Sequence, residues 1–170
     1  IASSCKECGV GRFTDNNRQD VNHDDQNQDC KLCPLGQYSD DAVNPANDES
    51  CKACAAGLYT ATTGQSNAGP DTGCEKCVKG KYNNVAGLPA SVCKDCAIGL
   101  FSDELRNINA DDCKPCTQGK YSDVTGLTSD DNCKLCPVGR YNDQTGFTSP
   151  DDGTSKSCIK CPYGKWSDVE

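Results

Sequence analysis

The sequence has little of the material from which an ordinary hydrophobic core is built. Hydrophobic residues make up 35% of its 170 positions, but 16 of them are cysteines, and the chain has one tryptophan, three phenylalanines and no methionine. Without the cysteines, ordinary apolar residues amount to about a quarter of the chain, which is near the level at which disorder begins. A single conventional core is therefore excluded, and the cysteine content is typical of scaffolds held together by covalent bonds or metal ions.

Several kinds of partner and activity are disfavoured as well. The net charge of −8, from 17 basic and 25 acidic residues, argues against binding to nucleic acid. The longest apolar stretches, such as residues 97–101, are far too short to cross a bilayer. No segment resembles a signal peptide and the chain does not begin with methionine, so we expect a processed product or a segment of a longer protein. Because His23 is the only histidine, we expect no enzyme activity.

The cysteines define an internal repeat. Every cysteine belongs to a Cys-x-x-Cys pair, and the eight pairs begin 19 to 25 residues apart. The chain is therefore predicted to be one tandem array over residues 1–170, in which the last repeat is incomplete. We number the predicted repeats from 1 to 8, and they cover residues 5–29, 30–50, 51–73, 74–92, 93–112, 113–132, 133–157 and 158–170.

Each repeat also carries a glycine and an aromatic residue at fixed positions. The glycine stands three residues after the second cysteine, the aromatic follows two residues later, and in four repeats a second glycine comes five residues after the aromatic. This pattern predicts short extended segments and tight turns, with little or no helix. The aromatics, which we expect to pack the repeats together, are Phe13, Tyr38, Tyr59, Tyr82, Phe101, Tyr121, Tyr141 and Trp166.

Two chemistries are open to the cysteine pairs. A C-x-x-C pair followed about 15 to 20 residues later by another is a signature of zinc, and eight pairs would make four sites of four cysteines each. The linkers resemble one another, however, instead of grouping the repeats in twos, and the acidic, polar composition is typical of secreted modules that replace a core by crosslinks. The sequence favours disulfides over zinc, and with them an extracellular or cell-surface location.

The pattern C-x-x-C-P-x-G-x-Y-S-D, followed by a glycine and Thr-Ser, resembles the ephrin-receptor-like cysteine-rich repeat. It is also similar in style to the first half of a tumour-necrosis-factor-receptor module. Residues 133–143, with Gly146-Phe147-Thr148-Ser149 after them, show the pattern most completely. The resemblance implies that the second cysteine of each pair is joined to the first of the next, which leaves Cys5 and Cys161 to bridge to partners outside the segment. The implied bridges are Cys8–Cys30, Cys33–Cys51, Cys54–Cys74, Cys77–Cys93, Cys96–Cys113, Cys116–Cys133 and Cys136–Cys158.

Repeats of this kind are expected to form an extended rod of about eight small disulfide-rich β-hairpin or turn modules, each in contact with its nearest neighbours. We expect each aromatic to pack over its own disulfide and over the preceding repeat. Leu88, Leu127 and Phe147, which follow the second glycine, are expected to fill the same pockets. Basic and acidic residues recur in every repeat. They form either a solvated surface of mixed sign or a surface complementary to a neighbouring array.

The favoured function is structural: a segment of an extracellular stalk or appendage filament, whose partners are other copies or further repeats. The alternative is the ectodomain of a receptor or adhesion protein that binds a protein ligand. Its candidate contacts are the apolar residues Leu105, Ile108, Tyr163 and Trp166.

No cofactor is expected. Residues 20–24 begin like a calcium loop, but Asp25 stands where the loop needs glycine, so a calcium site is disfavoured. The chain has no Asn-x-Ser/Thr sequon for N-linked glycans. O-linked glycans are possible partners, on loop residues and on the hydroxyl residues that follow the aromatics, which are Ser39, Thr60, Ser102, Ser122 and Ser167.

Overall fold

The structure, a computed structural model, describes residues 8–14, 30–40, 51–67, 73–89, 92–151, 153 and 155–167. Within these ranges the secondary structure consists of strands of two or three residues and of short 3-10 turns, two of which span Ala110–Asp112 and Asp130–Asn132. No helix of the described part is long and apolar enough to cross a membrane. The prediction of little or no helix is confirmed.

The strands pair two by two into antiparallel hairpins: along the chain, the first strand pairs with the second, the third with the fourth, and so on. In each hairpin a strand that carries or adjoins the motif aromatic pairs with the strand around the first cysteine of the next repeat, as when Tyr121 lies opposite Lys134. The predicted class of small disulfide-rich β-hairpin modules is thereby confirmed. The strands are β1 Arg12–Thr14, β2 Cys30–Leu32, β3 Gln37–Tyr38, β4 Lys52–Ala53, β5 Leu58–Tyr59, β6 Glu75–Lys76, β7 Lys81–Tyr82, β8 Lys94–Asp95, β9 Leu100–Phe101, β10 Lys114–Pro115, β11 Lys120–Tyr121, β12 Lys134–Leu135, β13 Arg140–Tyr141 and β14 Ile159–Lys160.

A tight turn precedes the aromatic strand. In repeat 6, Lys120 N–H donates a hydrogen bond of 3.1 Å to the carbonyl oxygen of Thr117, and Gly119 between them has a φ of 80°. A turn that needs a positive φ at its third residue favours glycine there, because other residues are strained in that conformation. The recurring first glycine of the motif is thus explained by the geometry of the turn.

The chain divides into two compact units. One consists of residues 1–76 together with 85–92, and it contains the hairpins from β1–β2 to β5–β6. The other consists of residues 77–84 together with 93–170, and it contains the hairpins from β7–β8 to β13–β14. The described core consists of small clusters, one in the first unit and two in the second, and each cluster is built around a disulfide.

Candidate functional site: the seam between repeats

Seven disulfides link the repeats in series. Each joins the second cysteine of one pair to the first cysteine of the next, with Cα–Cα distances between 5.6 and 6.0 Å. Cys161 is free, and Cys5 lies outside the described residues. The bridges are Cys8–Cys30, Cys33–Cys51, Cys54–Cys74, Cys77–Cys93, Cys96–Cys113, Cys116–Cys133 and Cys136–Cys158, which are the pairs that the resemblance implies.

These bridges correct the alternative of four-cysteine zinc sites. Zinc is held by thiolates, and a sulfur atom in a disulfide carries no thiolate charge. One group in the described part has the spacing of metal ligands, namely Cys116, Asp130 and Cys133, but its two cysteines are joined to each other. The residues of the calcium-like loop, 20–25, lie outside the described residues, as does His23.

Three of the motif aromatics pack on the bridge of the following repeat. Tyr121 of repeat 6 lies in one cluster with Phe147 and with the Cys136–Cys158 bridge. Phe101 of repeat 5 packs in the same way on the Cys116–Cys133 bridge, and Tyr38 of repeat 2 packs on Cys54–Cys74. For these three residues, the expectation that each aromatic covers its own disulfide and the preceding repeat is wrong. The reason is the hairpin, which joins the aromatic strand to the next repeat, where the next bridge begins.

The residues after the second glycine fill these same pockets. Leu127 packs beside Phe101, and Phe147 packs beside Tyr121. In both cases the partner is the aromatic of the preceding repeat. A parallel bridge between backbones, Phe101 with Leu127 and Tyr121 with Phe147, holds the two segments side by side. Leu88 is half-buried.

Burial of the motif aromatics differs along the chain. Phe101 and Tyr121 are buried, and Phe13, Tyr38, Tyr59 and Tyr82 are half-buried. Tyr141 and Trp166 are exposed. Burial raises the pKa of Tyr59, and its hydrogen bond to Glu75 on the opposite strand raises that pKa further.

Backbone hydrogen bonds recur at several of the described seams, and by a seam we mean the contact surface between consecutive repeats. Between repeats 6 and 7, Cys136 N–H donates to Gly119 at 2.8 Å, Gly146 N–H donates to Cys116 at 2.9 Å, and Ser122 N–H donates to Phe147 at 2.9 Å. The seam between repeats 5 and 6 contains the same three bonds, from Cys116 to Gly99, from Gly126 to Cys96 and from Ser102 to Leu127. Because only main-chain groups take part, these three bonds do not depend on the identity of the loop side chains.

The residue directly after the aromatic is buried in the seam. Ser39, Thr60, Ser102 and Ser122 are at most 1% exposed, so the folded chain does not present them for O-glycosylation, and the expectation of O-linked glycans is corrected at these positions. The Ser122 hydroxyl donates to the Val124 carbonyl at 2.8 Å, whereas Thr60 Oγ1 accepts a hydrogen bond from Gly36 N–H at 2.6 Å. Ser167 is half-buried.

Some glycines also lie close to the backbone of the repeat after the next one. A Cβ placed on Gly99 of repeat 5 would lie 2.6 Å from the carbonyl oxygen of Gly146 in repeat 7. Contacts between repeats are therefore not confined to nearest neighbours, which corrects the expectation from the sequence. The other glycines whose Cβ would overlap a glycine carbonyl two repeats away are Gly11 against Gly64, Gly36 against Gly87 and Gly80 against Gly126.

Arg106 is a residue whose role sequence reasoning missed. It stands five residues after Phe101, where four other repeats have the second glycine, and its φ of 66° is the one positive φ of a non-glycine residue in the described part. Its N–H donates to Cys77 at 3.0 Å, as the glycines do at the other seams. Aligning the repeats on their aromatics would have revealed this substitution.

The recurring charges are paired across the seams of the same chain. The lysine after the first cysteine contacts the aspartate two residues after the preceding aromatic, as Lys134 contacts Asp123 at 2.7 Å and Lys114 contacts Asp103 at 2.7 Å. The hydrogen bond from Lys134 lowers the pKa of Asp123, and that from Lys114 lowers the pKa of Asp103. Because these pairs are exposed, they contribute little stability. The charges are therefore already paired within one chain and are not available for pairing with a neighbouring array.

One ion pair is more enclosed. Lys120 contacts Asp130 at 2.6 Å, and the same carboxylate accepts hydrogen bonds of 2.8 Å from the backbone and the hydroxyl of Thr117. Burial alone would raise the pKa of Asp130, but the hydrogen bonds from Lys120 and Thr117 outweigh burial and lower it.

The comparison with protein families agrees with this geometry. Residues 105–152 match the family model described as tyrosine-protein kinase ephrin type A/B receptor-like. The matched stretch contains the Cys116–Cys133 bridge and most of repeats 6 and 7, and the resemblance seen in the sequence is confirmed there. Such modules, together with many disulfides, are typical of extracellular domains. No curated protein matches the chain.

Proposed function

We propose that this chain is a structural segment of an extracellular stalk or appendage filament, built by stacking repeats through similar seams. The observation that carries the proposal is the recurrence of the same backbone hydrogen bonds at successive seams, supplemented by glycine contacts two repeats apart. A framework of this kind has the same construction at every repeat, so it extends by adding repeats. The proposal assigns the chain no catalytic activity and no cofactor.

The distribution of charge and burial supports the proposal. The ion pairs of Lys114 and Lys134 lie between consecutive repeats, and the buried Thr60 hydroxyl accepts a hydrogen bond from Gly36 N–H of the preceding repeat. Side chains of both kinds therefore serve to hold repeats in register. The expected partners are further repeats of the same type, attached through the same backbone contacts.

Electron microscopy tests the proposal in two steps. Antibodies against the purified chain, labelled with gold, should decorate a stalk or filament on intact cells of the source organism. The purified chain and a tandem duplicate of it should appear as elongated particles whose length grows with repeat number. Label confined to a globular receptor at the membrane would contradict a structural role.

A receptor or adhesion ectodomain is the second candidate, and two exposed residues favour it. Leu105 and Ile108 of repeat 5 are 52% and 44% exposed, whereas the corresponding positions of repeat 6 carry Thr125 and Thr128. Repeat 5 thus presents apolar side chains where its neighbour presents hydroxyls. Tyr163 and Trp166 are also exposed.

The exchange Leu105→Thr with Ile108→Thr tests this second candidate, because it gives repeat 5 the residues of repeat 6. If the chain binds a protein ligand through this patch, binding of the fluorescently labelled chain to cells should fall at least tenfold in the double variant. The matched control is Thr125→Ser with Thr128→Ser in repeat 6. Equal binding by all three proteins would exclude the patch as a ligand site.

A further inference from the structure

The disulfides create a covalent path that is much shorter than the chain. From Cys8 the path crosses the bridge to Cys30, follows the backbone to Cys33 and crosses the next bridge to Cys51. The same alternation continues to Cys158, and the last Cys-x-x-Cys segment then leads along the backbone to Cys161, which is free. The loops between the bridged cysteines, which span 16 to 22 residues, lie off this path.

This topology limits how far the chain can be stretched. Three backbone steps of up to about 3.6 Å and one bridge of 5.6 to 6.0 Å add up to about 17 Å for each repeat. The path from Cys8 to Cys161 therefore has a maximum length of about 120 Å, whereas the same stretch of chain without bridges reaches about 500 to 550 Å. The limit holds whether or not the hairpins stay folded, because covalent bonds alone set it.

We propose that the bridges and the Cys-x-x-Cys segments are the tension-bearing element of this chain, and that reduction releases its length one loop at a time. The biological meaning of this element depends on the proposed stalk or filament function, since a stalk must carry load. The topology itself does not depend on that function. The seams keep the repeats in register at rest, and the bridges set the length at which extension stops.

Release should begin at the bridge between Cys77 and Cys93. Cys93 is half-buried, whereas every other bridged cysteine is buried. A thiolate of a dithiol reductant must reach a sulfur atom to attack it, so the more accessible bridge reacts first. The attack forms a mixed disulfide and frees one cysteine. The second thiol of the reductant then displaces the other cysteine, so that two electrons and two protons pass to the bridge and the reductant leaves as a cyclic disulfide.

Force spectroscopy on single molecules tests the proposal. The chain carries Cys5→Ser and Cys161→Ser, so that only the seven bridges contain cysteine, and it is tethered by its two ends. Without reductant, we expect the extension to stop at about 17 Å for each repeat plus the short unbridged ends. With dithiothreitol, we expect up to seven further steps of about 50 to 75 Å, each the length of one released loop.

Two matched variants identify the loops. Cys77→Ser with Cys93→Ser should lengthen the unreduced chain by about 50 Å and should remove one step. Cys116→Ser with Cys133→Ser should do the same by about 55 Å. Brief reduction followed by alkylation and peptide mapping should label Cys77 and Cys93 of the chain before other cysteines.

An unreduced chain that stretches by several hundred ångströms would overturn the proposed path, and so would steps that do not match the loop lengths. Labelling that begins at another bridge would overturn the assigned order. These outcomes are separate from the localisation experiment: a chain found elsewhere than on a stalk or filament would still show the same extension limit.

Discussion

Repeats 6 and 7 carry the same motif, but only repeat 6 has a core for its aromatic. Tyr121 and Tyr141 occupy the same strand position, and each lies in an antiparallel pair with the next repeat. Tyr121 is 8% exposed, whereas Tyr141 is 36% exposed. The two tyrosines differ in the repeat that comes after each of them, because Tyr121 packs against a bridge and Phe147, whereas the cysteine that would form the bridge after Tyr141, Cys161, is free. The motif therefore specifies a strand and a turn, and the next repeat along the chain supplies the core.

The largest expected effect comes from replacing each of these two tyrosines by alanine in separate variants. Tyr121→Ala should lower the free energy of unfolding by about 3 kcal/mol, because it leaves a cavity beside the Cys136–Cys158 bridge. Tyr141→Ala should cost about 1 kcal/mol or less, since its side chain is already partly in water. Urea denaturation of the two variants measures the difference.

Amide hydrogen exchange shows where the loss falls. In the Tyr121→Ala variant, protection should decrease in repeats 6 and 7 and should be retained in repeats 1 and 2. A decrease confined to repeats 5 and 6 would instead support packing on the preceding repeat. Equal losses of stability in the two tyrosine variants would show that Tyr121 and Tyr141 do not differ in how much their packing contributes.

The comparison also shows how far a sequence of this kind can be interpreted. The spacing of cysteine, glycine and aromatic predicted short hairpins without helix, because turns and crosslinks depend on local residue order. The predicted direction of packing is wrong, because nothing in the sequence of one repeat shows whether Tyr121 packs on the bridge before it or on the bridge after it. The glycine contacts were missed for the same reason: Gly99 meets Gly146 only once three repeats are stacked. Arg106 was visible as a break in the pattern, but its positive φ was not.

The two glycines that precede Phe101 and Tyr121 sharpen the comparison further. Gly99 and Gly119 have φ values of 76° and 80°, but a Cβ on Gly99 would meet the Gly146 carbonyl, whereas nothing lies within 4 Å of one on Gly119. Gly119→Ala should cost about 1 kcal/mol, from backbone strain alone. Gly99→Ala should cost about 2 to 3 kcal/mol, because the backbone of repeat 7 must also shift. Thermal unfolding measures both, and equal costs would mean that glycine contacts do not couple repeats two apart.

A substitution that adds stability is expected in repeat 5. Arg106→Gly should raise the free energy of unfolding by about 0.5 to 1 kcal/mol, because glycine adopts a φ of 66° without steric cost. Placing a side chain at the same position of the next repeat, Gly126→Ala, should lower it by at least a similar amount, because a Cβ there would also lie 3.0 Å from Asp95 Oδ1. Chemical denaturation of the two variants provides the test. If Arg106→Gly destabilises the chain, the arginine side chain makes a contact whose value exceeds the strain.

The smallest expected effect distinguishes the ion pairs of repeats 6 and 7. Lys120 holds Asp130 in a half-buried pair, whereas Arg140 contacts Asp151, whose side chain is largely exposed. Because folding lowers the pKa of Asp130 below its ordinary value of 3.8, the stability from its contacts is complete above that value and is lost as the pH falls through the folded pKa.

Asp130→Asn should therefore cost about 1 kcal/mol at pH 6, and the cost should shrink as the pH falls below about 4. Asp151→Asn should cost less at pH 6, since exposed ion pairs contribute little. Thermal unfolding followed between pH 6 and pH 3 separates them: an equal cost for both variants, or a cost for Asp130→Asn that persists in acid, would mean that the enclosure of the Lys120 pair adds nothing to the stability of repeat 6.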